Sequence, residues 1–198
     1  GTEFLSKTLG LSLPALTECS LKFGWGANWS WDALRIAHMP HLRQLDIHWV
    51  TQKPPASNRT IPLMSQLLDL RIFATHPGVF ESAAPHLAAA TPNVEQVSLT
   101  QLNLRPDVHD YDVPWFPLLS DPNQDPLKIV WPRLVALRLC GARVATRPPD
   151  DLKRIALGRP AFKLLSVDRT CWGRMIEAGQ DVDALRGCFD VVVTDDAA

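Results

Sequence analysis

The feature that most limits how this chain can fold is a short motif: a proline, any residue, then apolar residues at the third, sixth and eighth places. It occurs without a fault at Pro14 ("PALTECSL"), Pro40 ("PHLRQLDI"), Pro92 ("PNVEQVSL"), Pro132 ("PRLVALRL") and Pro160 ("PAFKLLSV"). With 17 prolines and 46% hydrophobic residues, a shuffled chain of this composition would hold about one or two copies. Two weaker copies complete the series. In "LMSQLLDL", from 63, Ser65 stands in the first apolar place and the proline has slipped to Pro62; in "RGCFDVVV", from 186, Cys188, Val191 and Val193 hold the apolar places. Starts at 14, 40, 63, 92, 132, 160 and 186 are separated by 26, 23, 29, 40, 28 and 26 residues, a regular period with one insertion.

The last two apolar places are two residues apart and share one face of a strand. In "LVALRL", Leu137 and Leu139 point one way while Ala136 and Arg138 point the other. One such unit cannot bury its apolar side alone, so units must stack on one another. The segments between them read as short crossovers. Ser30 is placed to cap "WDALRIAHM", Asp150 to cap "DLKRIAL" with Gly158 just past its end, and "FESAAPHLAAA" is helical in character if Pro85 lies in its first turn. The proline ahead of each strand is expected to stop the preceding helix and hold its neighbour extended.

LxxLxL at intervals in the twenties resembles the leucine-rich repeat, and the resemblance covers Leu13 to Val193. The ninth place counted from the first apolar residue holds Gly24, Val50, Phe73, Leu102, Ala142, Thr170 and Asp196, so the usual asparagine ladder is missing. That departure, with the uneven lengths, is most similar to the irregular repeats of fungal and plant F-box proteins. The resemblance implies an α/β fold: a right-handed leucine-rich-repeat solenoid, a horseshoe arc, with a concave parallel sheet of about seven strands. It implies a single domain over 5–198, with "GTEF" at 1–4 read as a cloning scar and an insertion loop over 103–131. It also implies a non-catalytic recognition module with a protein partner on its concave face. In an F-box ubiquitin-ligase subunit that partner is the substrate, and an F-box elsewhere contacts a Skp adaptor. Two other readings stand beside this one: a secreted or cell-surface recognition domain, and a structural segment packed on another domain of a larger protein. The apolar ends of a solenoid need a cover, which end-to-end self-association would supply.

Residues pointing away from the core fall into columns across the strands. One column is expected to run Ser20, Asp46, Asp69, Ser98, Arg138, Ser166, Val192, and the next Lys22, His48, Arg71, Thr100, Cys140, Asp168, Thr194. Neighbouring strands lie about 4.8 Å apart, which predicts Asp46 beside Asp69 and His48 beside Arg71. Partner-binding candidates are therefore Lys22, Asp46, His48, Trp49, Asp69, Arg71, Thr100, Arg138, Asp168 and Arg169. Trp49, with Phe23 near it, is the expected aromatic anchor. The Pro- and Asp-rich stretch 105–126 has neither helical nor strand periodicity and adds Tyr111, Trp115 and Phe116 as loop candidates.

Other function classes find little support. With 20 basic and 21 acidic residues, well mixed, a net charge of −1 gives no footprint for nucleic acid or an anionic membrane. No apolar run has the length of a membrane helix. Asp46, His48 and Asp69 are acid–base material, but no nucleophile elbow, phosphate loop, zinc-protease or dinucleotide motif accompanies them, so neither an enzyme nor a cofactor is expected. His38, His41 and His48 are separated by a strand and a helix end, and Asp110 and Asp112 of "HDYD" lack a glycine turn, so no metal site is expected either. Cys19, Cys140, Cys171 and Cys188 never form CxxC. Cys19 and Cys188 fall at core places of the first and last strands, and Cys140 is expected on the concave face near Arg138. Reduced thiols favour an intracellular setting; sequons at Asn28 and Asn58 belong to the secreted alternative.

Overall fold

A computed structural model describes residues 13–23, 39–49, 63–74, 87–101, 131–141, 156, 160–177, 179 and 181–195. Seven strands follow one another: β1 Glu18–Phe23, β2 Gln44–Trp49, β3 Asp69–Ala74, β4 Gln96–Gln101, β5 Ala136–Cys140, β6 Leu164–Asp168 and β7 Asp190–Thr194. They form one open sheet in chain order, each strand parallel to the next. Two helices lie between β6 and β7, α1 Arg169–Glu177 and α2 Val182–Cys188, and 87–90 form a helical turn ahead of β4. Among the described residues no helix is long and apolar enough to cross a membrane.

The repeated proline has a more specific role than stopping a helix. Ahead of the strands the chain makes β-turns closed by Leu16 N to Leu13 O, Leu42 N to Met39 O, Val94 N to Thr91 O and Leu134 N to Trp131 O, at 3.1 to 3.3 Å. Pro14, Pro40, Pro92 and Pro132 each occupy the second place of such a turn, where a fixed φ near −65° costs nothing and no N–H is required. The third unit makes the same turn from Met64 to Leu67 at 3.2 Å, with Ser65 in the proline's place. The turns are also tied to one another sideways: the Gln66 side-chain amide donates to Met39 O at 3.0 Å and that of Asn93 to Ser65 O at 2.7 Å.

A second ladder joins the turns to the strands. Thr17 O accepts from both Arg43 N and Gln44 N; Arg43 O from Leu68 and Asp69; Leu68 O from Glu95 and Gln96; Glu95 O from Val135 and Ala136; Val135 O from Lys163 and Leu164. This ladder corrects the frame of the third unit. Leu45 pairs with Leu70 and Ile47 with Ile72, so the unit is "SQLLDLRI" beginning at Ser65, two residues later than the proline-anchored reading from 63. The first three spacings become 40 − 14 = 26, 65 − 40 = 25 and 92 − 65 = 27, more even than the sequence reading allowed.

Three apolar rows then run through the stack. The turn row is Leu16, Leu42, Leu67, Val94, Leu134 and Phe162; the two strand rows are Cys19, Leu45, Leu70, Val97, Leu137, Leu165, Val191 and Leu21, Ile47, Ile72, Leu99, Leu139, Val167, Val193. Leu70 therefore belongs to the row beside the one expected for it, and Ile72 takes its place. From β2 to β6 these residues are at most 1% exposed and form one continuous core. Burial of a Leu or Ile contributes about 1.5–3 kcal/mol, so the rows supply the driving force for stacking. In the last unit Phe189 rather than Cys188 fills the buried first place, edge-on to Phe162 with centroids 4.8 Å apart.

Trp131 opens the fifth turn and was expected at the end of the insertion, yet it is a core residue, 1% exposed. Its φ of 52° lies in the left-handed region, unusual for a bulky side chain. What holds it there is packing and one bond: its Nε1–H donates at 2.9 Å to Thr91 Oγ1, which itself donates to Leu87 O at 2.7 Å. The proposed helices at 31–39 and 151–157 lie outside the described residues, apart from Met39 and a helical Ala156.

Candidate functional site

The exposed face of the sheet is defined by residues alternating with the core rows. Its corrected columns are Glu18, Gln44, Asp69, Gln96, Ala136, Leu164, Asp190; then Ser20, Asp46, Arg71, Ser98, Arg138, Ser166, Val192; then Lys22, His48, Phe73, Thr100, Cys140. The two-residue shift of β3 overturns both expected neighbours. Asp46 lies beside Arg71 rather than Asp69, and His48 lies beside Phe73 rather than Arg71.

These contacts make a compact polar and aromatic cluster on β2 and β3. Arg71 donates through Nε at 3.1 Å and a terminal nitrogen at 2.9 Å to one oxygen of Asp69 two residues earlier on the same strand. The Gln44 amide donates to Asp46 at 3.1 Å. The two carboxylates thus have separate partners. Alongside, the His48 and Phe73 rings stack face to face, centroids 4.3 Å apart and 6° from parallel. Gln44 and Phe73 were missed by sequence reasoning; the apolar match of Leu67, Leu70 and Ile72 was the signal that places Phe73, and the frame of the second unit already puts Gln44 two residues before Asp46 on the same face.

The other candidates scatter. Lys22 is exposed on β1 beside His48; Thr100 is half-buried beside Phe73; Arg138 is exposed between Ser98 and Ser166. Trp49 ends β2, paired with Phe23 and Ala74, but its side chain lies outside the described residues, as do Tyr111, Trp115, Phe116, His38, Asp110, Asp112 and both sequon asparagines. Arg169 has left the sheet. As the first residue of α1 it pairs with Asp195 at 2.7 Å, both side chains exposed.

Asp168 and Cys140, expected on the open face, are 4% exposed. The cause is α1, which begins directly after β6 and folds over the strand ends. Asp168 caps that helix: one carboxylate oxygen accepts from Cys171 N at 2.6 Å and the other from Gly141 N, just beyond β5, at 2.5 Å. Burial, then the Asp168 charge, then Cys140, push the Cys171 thiol up to about 12, so it is a neutral core group. Burial and, secondarily, Asp46 also raise the Cys19 thiol. No disulfide links the four cysteines, and among the described residues no cluster of three His, Cys, Asp or Glu side chains is arranged to hold a metal ion.

No protein family, curated protein or solved structure matches this chain.

Proposed function

We propose that the chain is a leucine-rich-repeat solenoid segment that binds a protein partner on the exposed, concave face of its sheet, without catalysis. The observation that carries this reading is the cluster of Gln44, Asp46, Asp69 and Arg71 beside the His48–Phe73 stack. An arginine whose fork is already oriented by a carboxylate, next to a flat aromatic shelf, provides both kinds of anchor that dominate protein interfaces. Intrinsic pairing matters here, because side chains already held in place lose less entropy when a partner arrives.

The sequence resemblance to F-box-associated repeats supports a ubiquitin-ligase substrate as that partner. Affinity capture tests the reading with wild type and an Asp46→Ala, Arg71→Ala, Phe73→Ala variant whose circular dichroism matches wild type. Proteins retained by wild type and lost by the variant are the expected result. Identical captured sets would refute the face as the binding site, and a captured set free of ligase components and their substrates would refute the F-box assignment alone.

A further inference from the structure

The two halves of the exposed face hold their arginines differently. On β3 the Arg71 guanidinium is engaged by Asp69 at 2.9 Å. On β5 Arg138 is exposed, and among the described residues neither it nor the flanking hydroxyls of Ser98 and Ser166 has a hydrogen-bond or ion-pair partner. Register sets Ser98 of β4 and Ser166 of β6 directly beside Arg138. The charge is left free by the layout of the columns. Asp168, the acidic residue at a face position on β4 to β6, is buried and gives its oxygens to Gly141 N and Cys171 N. The next face carboxylates, Asp69 and Asp190, stand one column over and two strands away, about 9.6 Å across the sheet.

A protein seated on this face displaces the water around Arg138. Burying a guanidinium without a countercharge is strongly unfavourable, and a guanidinium only donates hydrogen bonds, so the covering group must be an anionic acceptor. One cation matches a carboxylate. A phosphoryl group, with close to two negative charges, calls for a second cation that no face position of β4 to β6 supplies. The column alongside adds an apolar requirement. Two residues earlier on the same face, Ala136 of β5 and Leu164 of β6 are paired neighbours, and Leu164 is 36% exposed. Side chains two apart on an extended segment are separated by about 6.6 Å, the same step that separates these two columns.

We infer that the β4 to β6 half of the face binds an extended segment of the partner protein that carries an acidic side chain and, two residues from it, an aliphatic one. Arg138 receives the carboxylate, with the Ser98 and Ser166 hydroxyls on either side, and the aliphatic side chain lies on Ala136 and Leu164. This subsite rests on the protein-binding role proposed above and specifies the partner's chemistry within it.

Selection of random linear peptides displayed on phage against the full chain tests this, with enriched sequences remade as synthetic peptides and titrated by fluorescence polarisation. Enriched peptides are expected to share an Asp or Glu two positions from a Leu, Ile or Val, and to bind Arg138→Ala about tenfold or more weakly, as loss of a charge-assisted hydrogen bond implies. Selection against Arg138→Glu is expected to exchange the acidic residue for Lys or Arg. Both variants should match wild type in circular dichroism, because the side chain is exposed. Peptides that lack the acidic residue overturn the subsite. So do peptides that bind Arg138→Ala as tightly as wild type but lose affinity for the Asp46→Ala, Arg71→Ala, Phe73→Ala variant, and these leave the proposed function standing. Tighter binding of the same peptide with phosphoserine in the acidic place would assign the site to a phosphoryl group instead. No enrichment, or peptides indifferent to every variant, also overturns the subsite, and the capture experiment then decides the face by itself.

Discussion

The interior of the stack and its two ends are built from the same motif, yet they are buried to different degrees. From β2 to β6 each core residue has a strand on both sides, and Leu45, Leu70, Leu137, Leu165 and Val167 are essentially inaccessible. In β1, Cys19 and Leu21 are half-buried, and in β7 Val193 is 42% exposed. The motif therefore specifies a core position only in the company of its neighbours. A unit supplies half of each contact, and the adjacent unit supplies the rest.

The largest expected break in that comparison comes from truncating matched rows. Leu137→Ala in β5 should destabilise the chain by about 2–5 kcal/mol, while Val193→Ala in β7 should cost under about 1 kcal/mol, by urea unfolding. Equal losses would mean the end strand is as fully packed as the interior. Asp168→Ala removes a helix cap and leaves Gly141 N and Cys171 N without their acceptor, for a loss of about 1–3 kcal/mol. Trp131→Phe keeps most of the buried ring but deletes the donor to Thr91, and about 1 kcal/mol should go with it.

A pH experiment sharpens the contrast between buried and half-buried thiols. The folded Cys171 thiol ionises at about 12 against an ordinary 9.0, so the unfolded chain loses its proton first. Stability resting on the neutral thiol is complete below pH 9 and declines as pH rises from 9 toward 12. Urea midpoints should fall over that window in wild type and fall less steeply in Cys171→Ala. The smallest effect belongs to the exposed cluster: Arg71 is 42% exposed, and Arg71→Ala should change stability by under about 0.5 kcal/mol. Such a variant isolates binding from folding.

How much of this was legible depended on whether a residue's role was fixed within its own unit. The five proline-led copies could be read because turn chemistry and the core rows coincide in them, and their register is as expected. The third unit was misframed because Pro62 outweighed an unbroken apolar match at Leu67, Leu70 and Ile72, although Ser65 serves the turn equally well. That single shift moved Asp69 and Arg71 to the wrong neighbours and hid Phe73. Asp168, Cys140 and Trp131 were misplaced for another reason. Their burial is decided across units, by α1 folding over β5 and β6 and by Thr91 reaching Trp131 across 40 residues of sequence, and no periodicity within one unit records such contacts.

The register of β2 against β3 carries the whole placement of the exposed face, and paired cysteines measure it directly. Asp46→Cys with Arg71→Cys should form an intramolecular disulfide on oxidation, because in-register neighbours on adjacent strands lie about 4.8 Å apart. Asp46→Cys with Asp69→Cys, two residues out of register, should remain reduced. A bond in the second pair and none in the first would contradict the account.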